Sequence, residues 1–236
     1  MKGVILAGGQ GTRLYPLTKA TNKHLLPVGR VPMIFHAVNR LVEAEVRDIM
    51  VITSTEYMGD LVRCLGSGKE FHCALSYRVQ EKPLGIAHGL LLAEDFARGE
   101  RVVVILADNI FGSPIAEIVD HFRGQTEGSR VVLKKVSDPE RYGVAALDEK
   151  QMLYIEEKPA QPVSDYAVIG LYCYDEKVFD IIKAQSYSDN GELEITPVNN
   201  TYIELKQMQY DVFDGRWMDA GTFESWFEAN RIFYDG

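Results

Sequence analysis

The sequence predicts an α/β fold organised as a doubly wound, mainly parallel sheet with a mixed extension. Three observations carry this. Short apolar runs of strand length recur at residues 4–6, 49–53, 74–77 and 102–106. Helical patterns lie between them, and strand–helix alternation selects a parallel sheet with helices on both faces. A glycine cluster, Gly8, Gly9 and Gly11, directly follows the first run. Ligands on such sheets gather at the carboxyl ends of the strands, where this cluster and Asp108 both fall.

The elements follow in order. Pro32 suits a first helical turn, and Met33, Ile34, Ala37, Val38, Leu41 and Val42 keep the helical period, so a helix covers this stretch. Residues 60–65 and 84–97 are read as two further helices. In the second half, residues 129–136, 144–147, 152–157 and 167–174 read as strands, with Asp148-Glu149-Lys150 as a turn. Helices return at 175–182, 198–205 and 222–233. Thr196 before Pro197 reads as a cap and first-turn pair. The added strands are expected to extend the parallel core and cover one side of the cleft. No repeat, linker or low-complexity segment interrupts the chain, so one domain over residues 1–236 is expected.

Composition excludes several classes. The 236 residues carry a net charge of −9, with 46% hydrophobic and 25% charged residues. A nucleic-acid surface is not expected on so acidic a chain. No apolar run approaches the roughly 18 residues of a membrane span. The first apolar run falls short of the roughly 7–15 residues of a signal-peptide core. Cys64, Cys73 and Cys173 form no CxxC pair and are odd in number, which argues against a disulfide framework. Reduced thiols and a cytoplasmic location are expected.

The glycine loop narrows the chemistry. A Walker A loop needs a second glycine five residues after Gly8, where Arg13 stands; a dinucleotide fingerprint needs one three after Gly11, where Leu14 stands. What remains is Leu-Ala-Gly-Gly-Gln-Gly-Thr-Arg-Leu, then Lys23 and Leu25-Leu26-Pro27. Glycines let backbone amides close on a phosphate. Arg13 offers a planar fork for phosphate oxygens and Lys23 a compact charge. Lys19 reads as an exposed loop lysine.

This string resembles the signature of the sugar-phosphate nucleotidylyltransferases, and the resemblance runs from Met1 to about Thr222. It implies a Rossmann-like, GT-A-like sheet, with a nucleotide-binding half at about 1–125 and a sugar-phosphate half at about 126–236. It implies transfer of a nucleotidyl group from an NTP to a sugar 1-phosphate, with dTTP and glucose 1-phosphate foremost and UTP the main competitor. Such a product feeds polysaccharide biosynthesis. Arg13 and Lys23 become the implied catalytic cations. Leu6, Gly8, Gly9, Gly11, Thr12, Arg13, Gln80, Pro83, Gly85 and Asp108 become the implied nucleotide site. Within Val79-Gln80-Glu81-Lys82-Pro83-Leu84-Gly85, the resemblance gives Gln80 the base edge and Gly85 the backbone contact to it. Glutamine donates and accepts together, which suits thymine or uracil.

Asp108 follows an apolar strand, and Asp219 lies in Trp217-Met218-Asp219-Ala220-Gly221-Thr222. The resemblance pairs these two carboxylates on one Mg²⁺, the ion that hard oxygen donors suit; helix capping is the other reading of Asp219. The sugar side resembles the family at Asp138-Pro139-Glu140-Arg141-Tyr142-Gly143-Val144, Glu156-Glu157-Lys158-Pro159 and residues 166–172. It implies that Tyr142, Gly143, Glu157, Lys158, Val168, Gly170 and Tyr172 hold the sugar phosphate. A surface ion pair is the plainer reading of Glu157 and Lys158.

Departures bear on the substrate. Asn190 stands where the family usually has Arg, so one acceptor-side cation is missing. Pro197, His24, His88, Ile169 and Ala107 also depart, and a lone helical His88 reads first as structural. Longer family members carry a C-terminal regulatory extension; the corresponding site and its share of an oligomer interface are expected to be lacking, which leaves homo-oligomerisation open. A metal-dependent glycosyltransferase is one rival, but it would want D-x-D where Ala107-Asp108-Asn109-Ile110 supplies one acid. A non-catalytic nucleotide-sugar-binding homologue is another, but Arg13, Lys23 and both aspartates are kept.

Overall fold

The computed structural model describes residues 1–149 and 151–234. In chain order its strands are β1 (Lys2–Ala7), β2 (Pro27–Val28), β3 (Val31–Pro32), β4 (Asp48–Thr53), β5 (Ala74–Val79), β6 (Val102–Leu106) and β7 (Asn109–Phe111). They continue with β8 (Ser129–Lys135), β9 (Gly143–Asp148), β10 (Gln151–Glu157), β11 (Tyr166–Tyr174), β12 (Met208–Val212) and β13 (Trp217–Asp219). The helices are α1 (Met33–Glu43), α2 (Met58–Leu65), α3 (Ile86–Leu91), α4 (Glu94–Ala97), α5 (Ala116–Gly124), α6 (Val178–Ala184), α7 (Ile195–Glu204) and α8 (Phe223–Phe233).

The parallel core is the one expected: β5, β4, β1 and β6 lie side by side and all run in one direction. Side chains alternate across these strands, so each face builds its own apolar layer. Ile5, Val51 and Val103 pack with Ile34, Leu41 and Val119 of α1 and α5 on one face. Val4, Met50 and Val104 pack with Leu90, Ile182 and Val198 of α3, α6 and α7 on the other. That is the doubly wound arrangement. Beyond β6 the sheet turns antiparallel through β11, β9 and β10, while β8 and then β12 attach to the other edge of β11.

β11 forks the sheet. Leu171–Tyr174 pair with β6, whereas Ala167 and Val168 pair with β9, and the register shifts between Ile169 and Tyr172. The strand thus changes neighbours at Ile169 and Gly170, and a cleft lined by both opens at this fork.

Several elements differ from expectation. The helix predicted over 84–97 starts at Ile86 and breaks into α3 and α4. Gly85 holds φ at 96°, with a would-be Cβ only 2.5 Å from the Leu193 carbonyl oxygen, so this backbone cannot be helical or bear a side chain. α6 starts at Val178, later than expected, because Asp175 accepts hydrogen bonds from the Gly128 N–H and the Tyr202 hydroxyl. Thr196 is not a cap: α7 starts at Ile195 after Glu194, and Pro197 still falls in the first turn, where no N–H is required. Glu149 turns with φ at 49°, and Lys150 lies outside the described residues. Thr222 does cap α8, in a reciprocal box with Ser225. Among the described residues no helix is long and apolar enough to cross a membrane.

Candidate active site

A cleft of about 480 Å³ lies at the carboxyl ends of β1, β5 and β6 and along the β11 fork. The loop after β1 forms one wall. Gly11 takes the left-handed conformation at φ 68° and starts the single turn Thr12–Leu14 that carries Arg13. Lys23 passes close behind this loop: a Cβ on Gly9 would stand 3.1 Å from its Nζ, and one on Gly11 3.0 Å from its Cβ. The glycines therefore make room for Lys23 as well as for ligand. Gly11 and Thr12 shape this corner without lining the cleft, whereas Leu6, Gly8, Gly9, Arg13 and Lys23 line it.

The Lys23 Nζ donates to Asp108 Oδ2 at 2.5 Å, and the Asn109 Nδ2 donates to Asp108 Oδ1 at 3.0 Å. Burial alone would push the Asp108 carboxyl upward, but the Lys23 charge and these two hydrogen bonds outweigh it and hold it well below the usual carboxylate range. Asp219, on β13 opposite Asn109 of β7, behaves oppositely. Burial and the Asp108 charge raise it to about 6, against the opposing pull of Lys23 and Arg13.

Gly221 explains how these groups converge. A Cβ there would lie 2.8 Å from Asp219 Oδ1, 3.1 Å from Arg13 Nη2 and 3.6 Å from Asp108 Oδ2. The two carboxylates converge on this corner with hard oxygen donors, the donor chemistry that a Mg²⁺ ion takes. Among the described residues no third His, Cys, Asp or Glu completes a metal cluster, so the remaining donors to such an ion would be substrate oxygens and water.

Asn109 is the joint of the site. Besides its bond to Asp108, its Oδ1 accepts from the Gly170 N–H at 3.1 Å and from the Trp217 Nε1 at 2.9 Å. A Cβ on Gly170 would fall 2.6 Å from its Cγ. Gly170 lines the cleft, but what demands glycine there is the Asn109 amide.

At the wall that the resemblance gives to the base, Gln80 follows β5 and is buried, beside Pro83 and Gly85. Its Nε2 donates to the Gly85 carbonyl at 3.1 Å and pairs with the His88 Nδ1 at 3.0 Å. Of the residues implied for the sugar phosphate, Tyr142, Gly143, Glu157, Lys158, Val168, Gly170 and Tyr172 all line the same cleft. Glu157 Oε2 accepts from the Thr196 hydroxyl at 2.6 Å, and Lys158 Nζ lies 3.1 Å from Glu157 Oε1. Lys158 holds φ at 44° directly before Pro159, a combination that costs of the order of 1–3 kcal/mol. The Lys158 N–H, donated to the Tyr142 carbonyl at 2.9 Å, helps to hold it.

A profile of the nucleotidyl transferase family matches residues 2–235. The chain belongs to the nucleotidyl transferase family. A glucose-1-phosphate thymidylyltransferase of Neisseria meningitidis serogroup A is 42% identical over 97% of this chain and 81% of its own length. A Mycobacterium tuberculosis protein of that name is 38% identical over 97% of this chain and 81% of its own. A Bacillus anthracis structure provisionally assigned to the same activity, solved with sucrose bound, superposes with a TM-score of 0.97 at 53% identity, covering 100% of this chain and 96% of that one. A UDP-glucose pyrophosphorylase complexed with UDP-glucose gives 0.87 at 27% identity, covering 99% and 98%.

Some cleft residues of this nucleotidyl transferase escape sequence reasoning. Arg141 lines the cleft, its Nη1 donating to Asp138 Oδ2 at 2.6 Å and its guanidinium 5.5 Å from the Tyr142 ring centre. It lies inside the Asp138-Pro139-Glu140-Arg141-Tyr142-Gly143-Val144 string, which was its available signal. Asn109, Thr196 and Asn199 also reach the cleft, and local sequence gives them no distinguishing mark. Asn190 sits on the rim, where its Oδ1 accepts from the Glu192 N–H at 2.9 Å and its Nδ2 donates to Glu194 at 3.2 Å. The rim is therefore acidic at the point where a cation was missing.

Proposed function

We propose that this enzyme transfers a thymidylyl group from dTTP to glucose 1-phosphate, forming dTDP-glucose and pyrophosphate. One observation carries the reading: the glycine loop with Arg13 and Lys23, the Gln80–Gly85 base wall, the Asp108–Asp219 pair and the Glu157–Lys158 corner line a single cleft. A nucleotide site and a phosphate-acceptor site with no wall between them suit direct transfer.

A phosphate oxygen of the acceptor attacks the α-phosphorus in line. The bond from that phosphorus to the bridging oxygen breaks, and pyrophosphate leaves with the electron pair. The attacking oxygen is already anionic at neutral pH, so no general base is needed. Catalysis is then positioning and charge stabilisation. Arg13 binds triphosphate oxygens through its planar fork. Lys23 shares its charge between Asp108 and the triphosphate. Lys158 receives the acceptor phosphate, and Glu157, oriented by Thr196, accepts sugar hydroxyls. A Mg²⁺ ion held by Asp108 and Asp219 supplies, when bound, neutralisation of triphosphate charge.

Cys173 is fully buried, Cys64 and Cys73 are unbridged, and the substrates are small phosphorylated metabolites, which together favour a cytoplasmic setting. The test is a matrix of NTPs against sugar 1-phosphates read by pyrophosphate release. Highest kcat/KM for dTTP with glucose 1-phosphate is expected. Free nucleoside diphosphate in place of pyrophosphate would assign the cleft to glycosyl transfer.

A further inference from the structure

We propose that His88 is a positioning residue: together with the Gly85 carbonyl it holds the Gln80 amide with its carbonyl oxygen toward the base, and so favours a base with an N–H between two carbonyls. This rests on the nucleotidyl-transfer reading above and sharpens it to a choice among pyrimidines.

The geometry is a question of which atoms can donate. Gln80 Nε2 has two hydrogens. One meets the Gly85 carbonyl at 3.1 Å, which can only accept. The other meets His88 Nδ1 at 3.0 Å. Because the amide is the donor there, His88 must offer a lone pair at Nδ1 and carry its own proton on Nε2. Burial keeps the imidazole pKa below its usual value, which preserves that lone pair at neutral pH.

Both amide hydrogens are thus taken inside the protein. Gln80 Oε1 accepts no hydrogen bond among the described residues, and it lies 2.7 Å from where a Cβ on Gly8 would stand. It is a free acceptor on the cleft wall beside the glycine loop. Thymine and uracil present an N–H at N3 and satisfy it. Cytosine presents a lone pair at N3 and opposes it. Turning the amide over to serve cytosine would set Oε1 against the Gly85 carbonyl, which can only accept, and would require the His88 proton to move from Nε2 to Nδ1. Gly85 supplies the repulsion, and His88 adds the cost of that tautomer change. His88 itself does not line the cleft, so it acts through Gln80.

His88→Asn and His88→Leu test this. Asparagine carries Oδ1 on its Cγ where histidine carries Nδ1, so the acceptor is kept; leucine fills similar space without one. The variants are compared with the parent protein by kcat and KM for dTTP, UTP and CTP at saturating glucose 1-phosphate, and by calorimetric binding of dTTP and CTP. His88→Leu is expected to raise KM for dTTP and UTP about five- to tenfold with kcat within about twofold, the factor carried by one neutral hydrogen bond. Its preference for dTTP over CTP should narrow, by less than that factor, because His88 contributes to the choice of base only the cost of the tautomer change. His88→Asn should stay within about twofold of the parent on every measure. An unchanged dTTP preference in His88→Leu, or equal losses in both variants, would overturn the proposal. If leucine prevents folding, His88→Ala replaces it. If the parent releases no pyrophosphate with any substrate pair, the nucleotidyl-transfer reading fails, and the calorimetric dTTP-to-CTP ratio still decides the role of His88.

Discussion

Replacing Gly170 by alanine should disable the site from a position that carries no functional group. The new Cβ would stand 2.6, 2.7 and 2.9 Å from Cγ, Oδ1 and Nδ2 of Asn109. No carbon is tolerated at such distances from a buried amide, so Asn109 must move. It then gives up its hydrogen bonds to Asp108, to the Gly170 N–H and to the Trp217 Nε1. At about 1 kcal/mol each, these amount to about 3 kcal/mol. Asn109 is 4% exposed, so water replaces them poorly, and over-packing adds about 1–3 kcal/mol. The expected loss is about 4–6 kcal/mol, read by urea unfolding, with kcat falling at least tenfold as Asp108 loses its orienting donor. Asn109→Ala should itself destabilise, but it clears the space that Gly170→Ala needs. In the Asn109→Ala background Gly170→Ala should therefore cost about 1 kcal/mol or less, a large coupling between the two positions. A single-variant loss below about 1 kcal/mol would refute the reasoning. So would strictly additive effects in the double variant.

Three further outcomes are expected. Arg13→Ala should lower kcat about 10²–10³-fold, the scale of one preorganised charge donor, while leaving KM for glucose 1-phosphate within about threefold; unchanged turnover in steady-state assays would remove Arg13 from the mechanism. His24 is fully buried, donates from Nδ1 to Asn22 Oδ1 at 2.8 Å and has its pKa lowered to about 3 by burial. A group with a depressed basic pKa is neutral in the folded state while the unfolded chain takes up a proton below about pH 6.5. Stability therefore falls as pH falls, by about 2 kcal/mol between pH 7.5 and pH 5. His24→Gln should remove that part of the slope in urea titrations at the two pH values, and an unaltered slope would show that His24 does not cause it. Asn190→Arg should lower KM for glucose 1-phosphate about five- to tenfold by adding a charge-assisted contact at the acidic rim, and an unchanged or higher KM in initial-rate assays would count against the role given to that position.

Local sequence pattern alone carries the parallel core and most of the residues that line one wall of the cleft. Residues 4–6, 49–53, 74–77 and 102–106 are apolar runs bounded by turns or helical periods, and such local patterns report which face is buried. The glycine loop, Gln80, Gly85, Asp108 and Asp219 stood in contiguous strings, and all but Gly11 and Thr12 of the implied nucleotide site line one cleft. Short elements escaped: β7 and β13 are three residues each, too brief for a period to register. β12, with Gln209 and Asp211 in five residues, has little apolar signal.

What the chain could not disclose locally is which partner each polar group finds. Lys23 and Asp108, read as two separate ligands of triphosphate and metal, lie 85 positions apart in sequence and form one ion pair. Thr196, read as a cap, turns its hydroxyl to Glu157 instead. Gly170, read only as one residue of the implied sugar-phosphate site, also makes room for Asn109, because β11 changes neighbours there and frees a backbone N–H. His88, one departure among several in the sequence, is placed by α3 against the amide of Gln80. Burial follows from a residue's own character and its neighbours' period. Hydrogen-bond partnership follows from packing across the sheet, and only the tertiary structure decides it.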